Sequence, residues 1–150
     1  MDKIGIITPG GDAPGINAAI GTVLRLSKND KKTIIGINDG FKGLVKEDFT
    51  DLKDVSYEWL MGVSGTILHS ERMSSFKKKD VLKRASRNII DNGIEGLLVI
   101  GGDGSFIGAL ALQKISGIPV VGIPATIDND IFGTEETIGF DTACNTALEA

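Results

Sequence analysis

Short runs of apolar residues alternate along this chain with longer segments whose apolar residues recur at helical spacing. Buried strands are predicted for residues 4–8, 33–37, 97–100 and 120–123. Helices are predicted for residues 14–27 and 81–90, for the segment carrying Ile107, Leu110, Ala111 and Leu112, and from about Asp141 onward. Strands and helices in this alternation predict an α/β fold, with a doubly wound, mostly parallel sheet and flanking helices.

Other segments give weaker signals. The glycine-rich residues 39–43 are interpreted as a loop after the second strand, and residues 45–75 show no readable period. Residues 145–150 are good helix sequence without a stop signal, so we expect the fold to be truncated there and the polypeptide to continue.

Three polar turns follow predicted strands. Gly-Gly-Asp occurs at 10–12 and again at 101–103, and a polar stretch follows 120–123. The carboxyl ends of parallel strands share one edge of the sheet, where ligands bind in such folds. We therefore expect these segments to face one cleft. Glycine supplies 20 of the 150 residues, and such an excess indicates tight turns or close approach of backbone to a ligand.

Charge and cysteine content exclude several classes of protein. Lys and Arg number 16 against 20 Asp and Glu, a net charge of −4, which argues against a nucleic-acid or anionic-membrane partner but not against a small phosphorylated ligand. A single cysteine, Cys144, and a single histidine, His69, exclude an internal disulfide and a paired-histidine zinc site. Without a membrane-length apolar run or a secretory pattern, a cytoplasmic location is the default expectation.

The first glycine-rich turn, Gly10–Gly15, joins a predicted strand to a predicted helix. Its glycines and the free N–H groups of the helix start could cradle an anion. It could equally be a tight turn capped by Asp12. The sequence alone leaves both interpretations open, and the turn matches neither the Walker P-loop nor the dinucleotide-binding pattern.

The second turn, Gly101–Ser105, is more specific. Three glycines around Asp103 make a turn with little side-chain bulk, which can lie against a polyphosphate. Asp103 could then hold a hard cation, because Mg²⁺ prefers one or two carboxylates plus phosphate oxygens. The alternative is an ordinary turn with Asp103 as helix cap, but three glycines exceed what such a turn needs.

The third segment, Thr126–Asp130, carries two acids. If it is extended, Asp128 and Asp130 point to the same side. Their repulsion makes a counter-cation or a shifted protonation equilibrium expected. This suits one carboxylate as general base and its neighbour near a metal. The alternative is a solvated polar loop. The position of the segment at the common sheet edge counts against this alternative.

Several other residues favour plain structural interpretations. Arg72, taken from spacing alone, is a surface residue. The basic residues of 77–87 are interpreted as a solvated helix face. His69, Trp59 and Cys144 are interpreted as packing or surface residues.

Five segments together closely resemble the bacterial form of the glycolytic 6-phosphofructokinase family. They span nearly the whole chain: GGDAPGINAAI (10–20), GTILHSER (65–72), VIGGDGS (99–105), PATIDNDI (124–131) and GTEETIGFDTA (133–143). The pairing of GGDGS with TIDND is highly specific, whereas GGDG alone also occurs in lipid and NAD kinases.

The resemblance implies a two-lobed enzyme. Residues 1–138 would form the nucleotide-binding lobe and 139–150 the start of the sugar-phosphate-binding lobe. The reaction would transfer a phosphoryl group from MgATP to the 1-hydroxyl of fructose 6-phosphate, giving fructose 1,6-bisphosphate and ADP. The full-length enzyme would be a cytoplasmic homotetramer. The 150 residues alone would be inactive, because arginines that hold the sugar phosphate lie further along the family's chain.

The resemblance also assigns roles to residues. Nucleotide-binding positions would be Gly11, Arg72, Met73, Gly102, Asp103, Gly104 and Ser105. Asp103 and Asp130 would serve the metal. Asp128 would take the proton of the 1-hydroxyl, with Thr126 beside it as a second catalytic residue, and Thr126, Ile127 and Asp128 would contact the substrate.

At several positions this sequence departs from the family pattern, and these departures concern the phosphoryl donor and regulation by nucleotides. Pyrophosphate users tend to carry Asp at position 104 and Lys at 125, so Gly104 and Ala125 favour ATP, although bacterial ATP users usually have Gly at 125. Gly21 and Asp54 replace often-basic residues of the family's regulatory nucleotide site, while Arg25 remains, so weaker binding of anionic effectors is expected.

Two alternatives remain open beside the ATP-dependent kinase. One is a pyrophosphate-dependent phosphofructokinase. The other is a non-catalytic nucleotide-binding module, which the presence of Asp103, Asp128 and Asp130 disfavours. A lipid or NAD kinase of the GGDG type is disfavoured by the TIDND segment.

Overall fold

The computed structural model describes the whole chain, residues 1–150. Its strands are β1 (Lys3–Ile7), β2 (Thr33–Ile37), β3 (Phe49–Asp51), β4 (Gly96–Gly101), β5 (Val120–Thr126) and β6 (Ile138–Gly139). Its helices are α1 (Ile16–Asn29), α2 (Gly40–Lys46), α3 (Tyr57–Leu60), α4 (Lys79–Asp91), α5 (Asp103–Ser116) and α6 (Phe140–Glu149). A 3₁₀ turn covers Ser74–Lys77.

The strands form one six-stranded sheet in the order β3-β2-β1-β4-β5-β6. All neighbouring pairs are parallel except β2 and β3. The predicted doubly wound, mostly parallel sheet is thereby confirmed. The chain builds outward from β1 in one direction and then resumes at β4 on the other side. The crevice beyond the carboxyl ends of β1 and β4 is the switch point at which such folds bind ligands.

Helices cover both faces of the sheet because successive strand residues point to opposite sides. Ile7 belongs to a core of 13 buried residues under α2, α4 and α5. Its neighbour Ile6 belongs to a second core of 11 buried residues under α1 and α3. None of the helices is both long and apolar enough to cross a bilayer.

The chain between residues 39 and 75 differs from the sequence expectation. The predicted loop 39–43 is wrong, since α2 begins at Gly40, and the unreadable stretch contains β3 and α3. These elements are short and depend on a few deeply buried residues, Leu44, Leu52 and Leu60. Their stability comes from tertiary packing, which local periodicity does not record.

Both helix caps suggested as alternatives are also wrong. The residue before α1 is Gly15 in the left-handed region, with φ 91°, so the helix begins at Ile16 rather than in the turn containing Pro14. Asp12 accepts a hydrogen bond from its own neighbour, Ala13 N, at 2.9 Å. Asp103 is the first residue of α5 and follows the cap residue Gly102. Both aspartates are thus free of a capping role.

Candidate functional site

A cavity of about 590 Å³ opens at the carboxyl edge of the sheet, beside the switch point. The three predicted segments, 10–12, 101–105 and 126–130, meet there. Residues 71–74, 76 and 77 line it as well. All the residues to which sequence analysis gave a binding, catalytic or metal role line this one cavity: Gly11, Arg72, Met73, Gly102, Asp103, Gly104, Ser105, Thr126, Ile127, Asp128 and Asp130.

Ser105 joins the two glycine-rich turns. Its hydroxyl donates to Pro9 O at 2.8 Å, and its backbone N–H donates to Gly102 O at 3.0 Å. A Cβ at Gly101 would lie 2.6 Å from Ser105 Oγ, so the glycine permits this approach. Both donors of Ser105 are therefore used within the protein, and its side chain fixes the spacing of the turns.

The start of α5 presents free backbone donors to the cavity. The first N–H groups of a helix lack intrahelical partners. In α5 those of Ser105 and Phe106 turn back to Gly102 O, which leaves the N–H groups of Asp103 and Gly104. Together with the positive end of the helix dipole, they make a site suited to a phosphate oxygen.

The segment after β5 holds the two acids differently from the extended form considered above. Asn129 adopts a left-handed conformation, with φ 50°, and its side chain donates to Glu135 O at 3.1 Å. Thr126 Oγ1 accepts from the backbone N of Asp128 at 3.2 Å. Despite this turn, Asp128 and Asp130 both line the cavity, because the loop folds back on the end of β5.

Arg72 supplies a positive charge to the cavity. One guanidinium nitrogen lies 3.9 Å from the position that a Cβ on Gly11 would occupy, so the side chain reaches the first glycine-rich turn. Arg72 forms no salt bridge. A guanidinium with unused donors at the mouth of a cavity is suited to binding phosphate.

The segment that carries Arg72 is held by partly buried hydrogen bonds to two buried side chains, Asn17 and Thr8. Asn17, buried in α1, donates from Nδ2 to Val63 O at 3.2 Å and accepts from Ile67 N at 2.8 Å. Thr8, at the end of β1, donates to His69 O at 2.8 Å. The wall of the cavity is thus fixed to the first strand and helix.

Replacing Asn17 with alanine is expected to lower the free energy of unfolding by about 1–2 kcal/mol, because partly buried backbone groups lose their partners. The matched control is Asn88→Ala, since Asn88 Nδ2 similarly donates to Leu44 O and Val45 O, away from the cavity. Denaturant unfolding should show a loss of stability in both variants. Only Asn17→Ala should also weaken nucleotide binding, and equal binding in the two variants would contradict the positioning role.

Some cavity residues were not found by sequence reasoning. The rings of Phe41 and Phe76 stack with centroids 3.9 Å apart and, with Gly108, form an apolar end of the cavity. Phe41 follows β2 at the same sheet edge, so the strand-end rule could have indicated it. Phe76 depends on tertiary packing. Lys77 was interpreted as part of a solvated helix face, but it lines the cavity.

The residues interpreted as packing or surface lie outside the cavity. His69 is exposed, with Nδ1 at 3.7 Å from Asp39 Oδ1. Trp59 and Cys144 are also exposed. No cluster of three or more His, Cys, Asp or Glu residues forms a ready metal site. The carboxylates that line the cavity fit a Mg²⁺ ion that takes its remaining ligands from phosphate and water.

Comparisons of the sequence with known proteins agree on one family. The chain matches the phosphofructokinase family over residues 3–150. It is 50% identical over 150 residues to a protein of Thermoanaerobacter sp. (strain X514) named ATP-dependent 6-phosphofructokinase, covering all of this chain and 47% of that protein. It is 53% identical over 152 residues to the protein of that name from Enterococcus faecalis, with the same coverage. The chain therefore spans about half the length of the curated relatives it matches.

Solved structures agree with the fold. The phosphofructokinase of Saccharomyces cerevisiae superposes with a TM-score of 0.88 at 28% identity, over 99% of this chain and 23% of that one. A pyrophosphate-dependent phosphofructokinase from Marinobacter aquaeolei superposes with a TM-score of 0.78 at 23% identity, over 89% of this chain and 36% of that one. The latter likeness concerns the fold alone.

Proposed function

Because the chain belongs to the phosphofructokinase family, we propose that the full-length protein transfers the γ-phosphoryl group of MgATP to the 1-hydroxyl of fructose 6-phosphate. The products are fructose 1,6-bisphosphate and ADP, as in glycolysis. The observation that carries the proposal is the convergence of Asp103, Asp128, Asp130 and Arg72 on one cavity at the switch point. Residues 1–138 are the nucleotide-binding lobe in this proposal, and 139–150 begin the sugar-phosphate lobe.

Asp128 acts as the general base. Its carboxylate accepts the proton of the 1-hydroxyl while that oxygen attacks the γ-phosphorus and the bond to the β,γ-bridging oxygen of ADP breaks. Thr126 holds the base in place, because its side-chain oxygen accepts from the backbone N of Asp128. Thr126 and Ile127 border the sugar. Positioning and charge stabilisation supply most of the rate enhancement in such a transfer.

A guanidinium, backbone N–H dipoles and a metal ion offset the negative charge of the phosphates. Arg72 and the free N–H groups at the start of α5 bind phosphate oxygens, and Gly11, Gly102 and Met73 border the same ligand. Asp103 and Asp130 are the residues that would hold Mg²⁺. That ion neutralises charge on the transferring group when it is bound.

The cavity favours ATP over pyrophosphate as the donor. Space is open around Gly104, where a Cβ would meet no atom within 4 Å, so an α-phosphate has room beside α5. The apolar end formed by Phe41, Phe76 and Gly108 suits a purine base, which pyrophosphate lacks.

A coupled assay of the full-length protein with fructose 6-phosphate tests the proposal. ATP should support turnover, and the 150-residue part alone should be inactive, since it spans about half of its relatives. Turnover with pyrophosphate but not ATP would favour the pyrophosphate-dependent enzyme. Calorimetric nucleotide binding without turnover from either donor would favour a non-catalytic nucleotide-binding module.

The proposed enzyme is a cytoplasmic homotetramer with weak effector control. At position 21 a Cβ would lie 3.1 Å from Tyr57 O, so α3 packs where a basic side chain would otherwise project. We expect near-hyperbolic saturation by fructose 6-phosphate, measured in the coupled assay with and without ADP or phosphoenolpyruvate. Strong activation or inhibition by either compound would contradict weak effector control, and size measurement of the full-length protein tests the tetramer.

A further inference from the structure

Acidic side chains outnumber basic ones around the cavity. Its lining contains Asp12, Glu71, Asp103, Asp128 and Asp130, against Arg72 and Lys77. Metal binding and proton transfer account for three of these acids. Asp12 and Glu71 have no such part, and of these two Glu71 is the sequence neighbour of Arg72. An uncompensated carboxylate at this place would repel a polyphosphate and compete with it for the guanidinium.

The structure directs the Glu71 carboxylate to α2. Lys42 Nζ, on that helix, lies 2.6 Å from Glu71 Oε2, and this hydrogen bond raises the pKa of Lys42 above its ordinary value. The backbone of Glu71 packs on the same helix, since its carbonyl oxygen lies 3.2 Å from the Cβ position of Gly40. Lys42 itself is absent from the cavity lining.

Arg72 is left without a carboxylate partner. It forms no salt bridge, whereas the adjacent Glu71 is engaged by Lys42. Loss of the lysine would therefore leave Glu71 free to pair with Arg72 or to face the phosphates directly. Either change would weaken anion binding without touching Asp128.

We propose that Lys42 is a positioning residue for the phosphate donor: it holds and neutralises Glu71, and thereby keeps Arg72 available to phosphate. The inference rests on the proposed function, because it takes the ligand of this cavity to be a polyphosphate. Lys42 acts through Glu71 and Arg72 and makes no contact with the ligand.

Steady-state kinetics of the full-length protein test this role. Lys42→Met should raise KM for MgATP roughly fivefold and leave kcat within about twofold. Lys42→Arg should remain close to the wild type because it keeps the charge. Lys46→Met, which removes an exposed lysine of the same helix, is the matched control and should leave both constants unchanged.

The double variant Lys42→Met/Glu71→Gln separates charge from packing. The KM for MgATP of the double variant should equal that of the single variant Glu71→Gln, because neither protein carries the unpaired carboxylate. An unchanged KM in Lys42→Met, or a double variant as impaired as Lys42→Met, would overturn the proposal.

Calorimetric titration with MgADP measures binding to the same variants without turnover. Their affinities should follow the order predicted for KM. A wild type that binds MgADP but phosphorylates no fructose 6-phosphate would defeat the proposed function alone, and the titrations would still decide the role of Lys42. A wild type that binds no MgADP would defeat the inference.

Discussion

Replacing Asp128 with asparagine is expected to lower kcat for fructose 6-phosphate by about 10³-fold, within the usual range for loss of a general base. The amide keeps the size of the carboxylate but cannot accept the proton of the 1-hydroxyl. KM for MgATP should change little, because Arg72 and the start of α5 bind the nucleotide phosphates. The measurement is the coupled assay of the full-length protein.

Glu135→Gln provides the control for Asp128→Asn. Glu135 is an exposed acid of the same loop and does not line the cavity, so the same change of charge there should leave kcat unaltered. An Asp128→Asn variant that keeps a tenth or more of wild-type kcat would contradict the role of base. A parallel loss of MgADP affinity would instead assign Asp128 to nucleotide or metal binding.

Replacing Gly104 with aspartate is expected to raise KM for MgATP about a hundredfold, because it adds a negative charge beside the proposed triphosphate position. The fold should tolerate the change. A Cβ at 104 meets no atom within 4 Å, and an acid in the first turn of a helix is favourable. Thermal unfolding should therefore show a Tm at or above that of the wild type.

Gly104→Ala isolates charge from bulk. It adds the same Cβ without the carboxylate, in a helix that alanine favours over glycine, so KM for MgATP should stay within about threefold of the wild type. Equal effects of alanine and aspartate would show that bulk alone excludes ATP. Measuring both variants with pyrophosphate tests whether the charge acts on the nucleotide in particular.

The strand ends were the part of the site that sequence could predict. Gly11, Asp103 and Asp128 follow apolar runs, and the rule that parallel strands share a carboxyl edge was enough to place them together. Arg72 and Met73 entered only through the family resemblance, because the segment carrying them has no periodic pattern. Its position depends on buried partners such as Asn17, which lies far away in sequence.

The partners to which individual side chains bond could not be predicted from the sequence. Ser105 was predicted to bind the nucleotide and does line the cavity, but its bonds to Pro9 and Gly102, which use both of its donors, could not be foreseen. The ion pair of Lys42 with Glu71 was also invisible, because it joins a helix interpreted as a loop to an unreadable segment. Such contacts depend on rotamers and on the relative placement of elements, which composition and spacing do not encode.

The adjacency of β1 and β4 has a consequence for biosynthesis. β1 pairs with residues 96–99 of β4, and the bond from Ser105 to Pro9 spans 96 residues. On the ribosome, β1 and β2 emerge long before β4, so one edge of β1, one of the two central strands, stays open while about sixty residues are added. The nascent chain passes through a period of exposed strand edge, during which chaperone binding competes with aggregation. Slow translation between β2 and β4 would prolong that exposure.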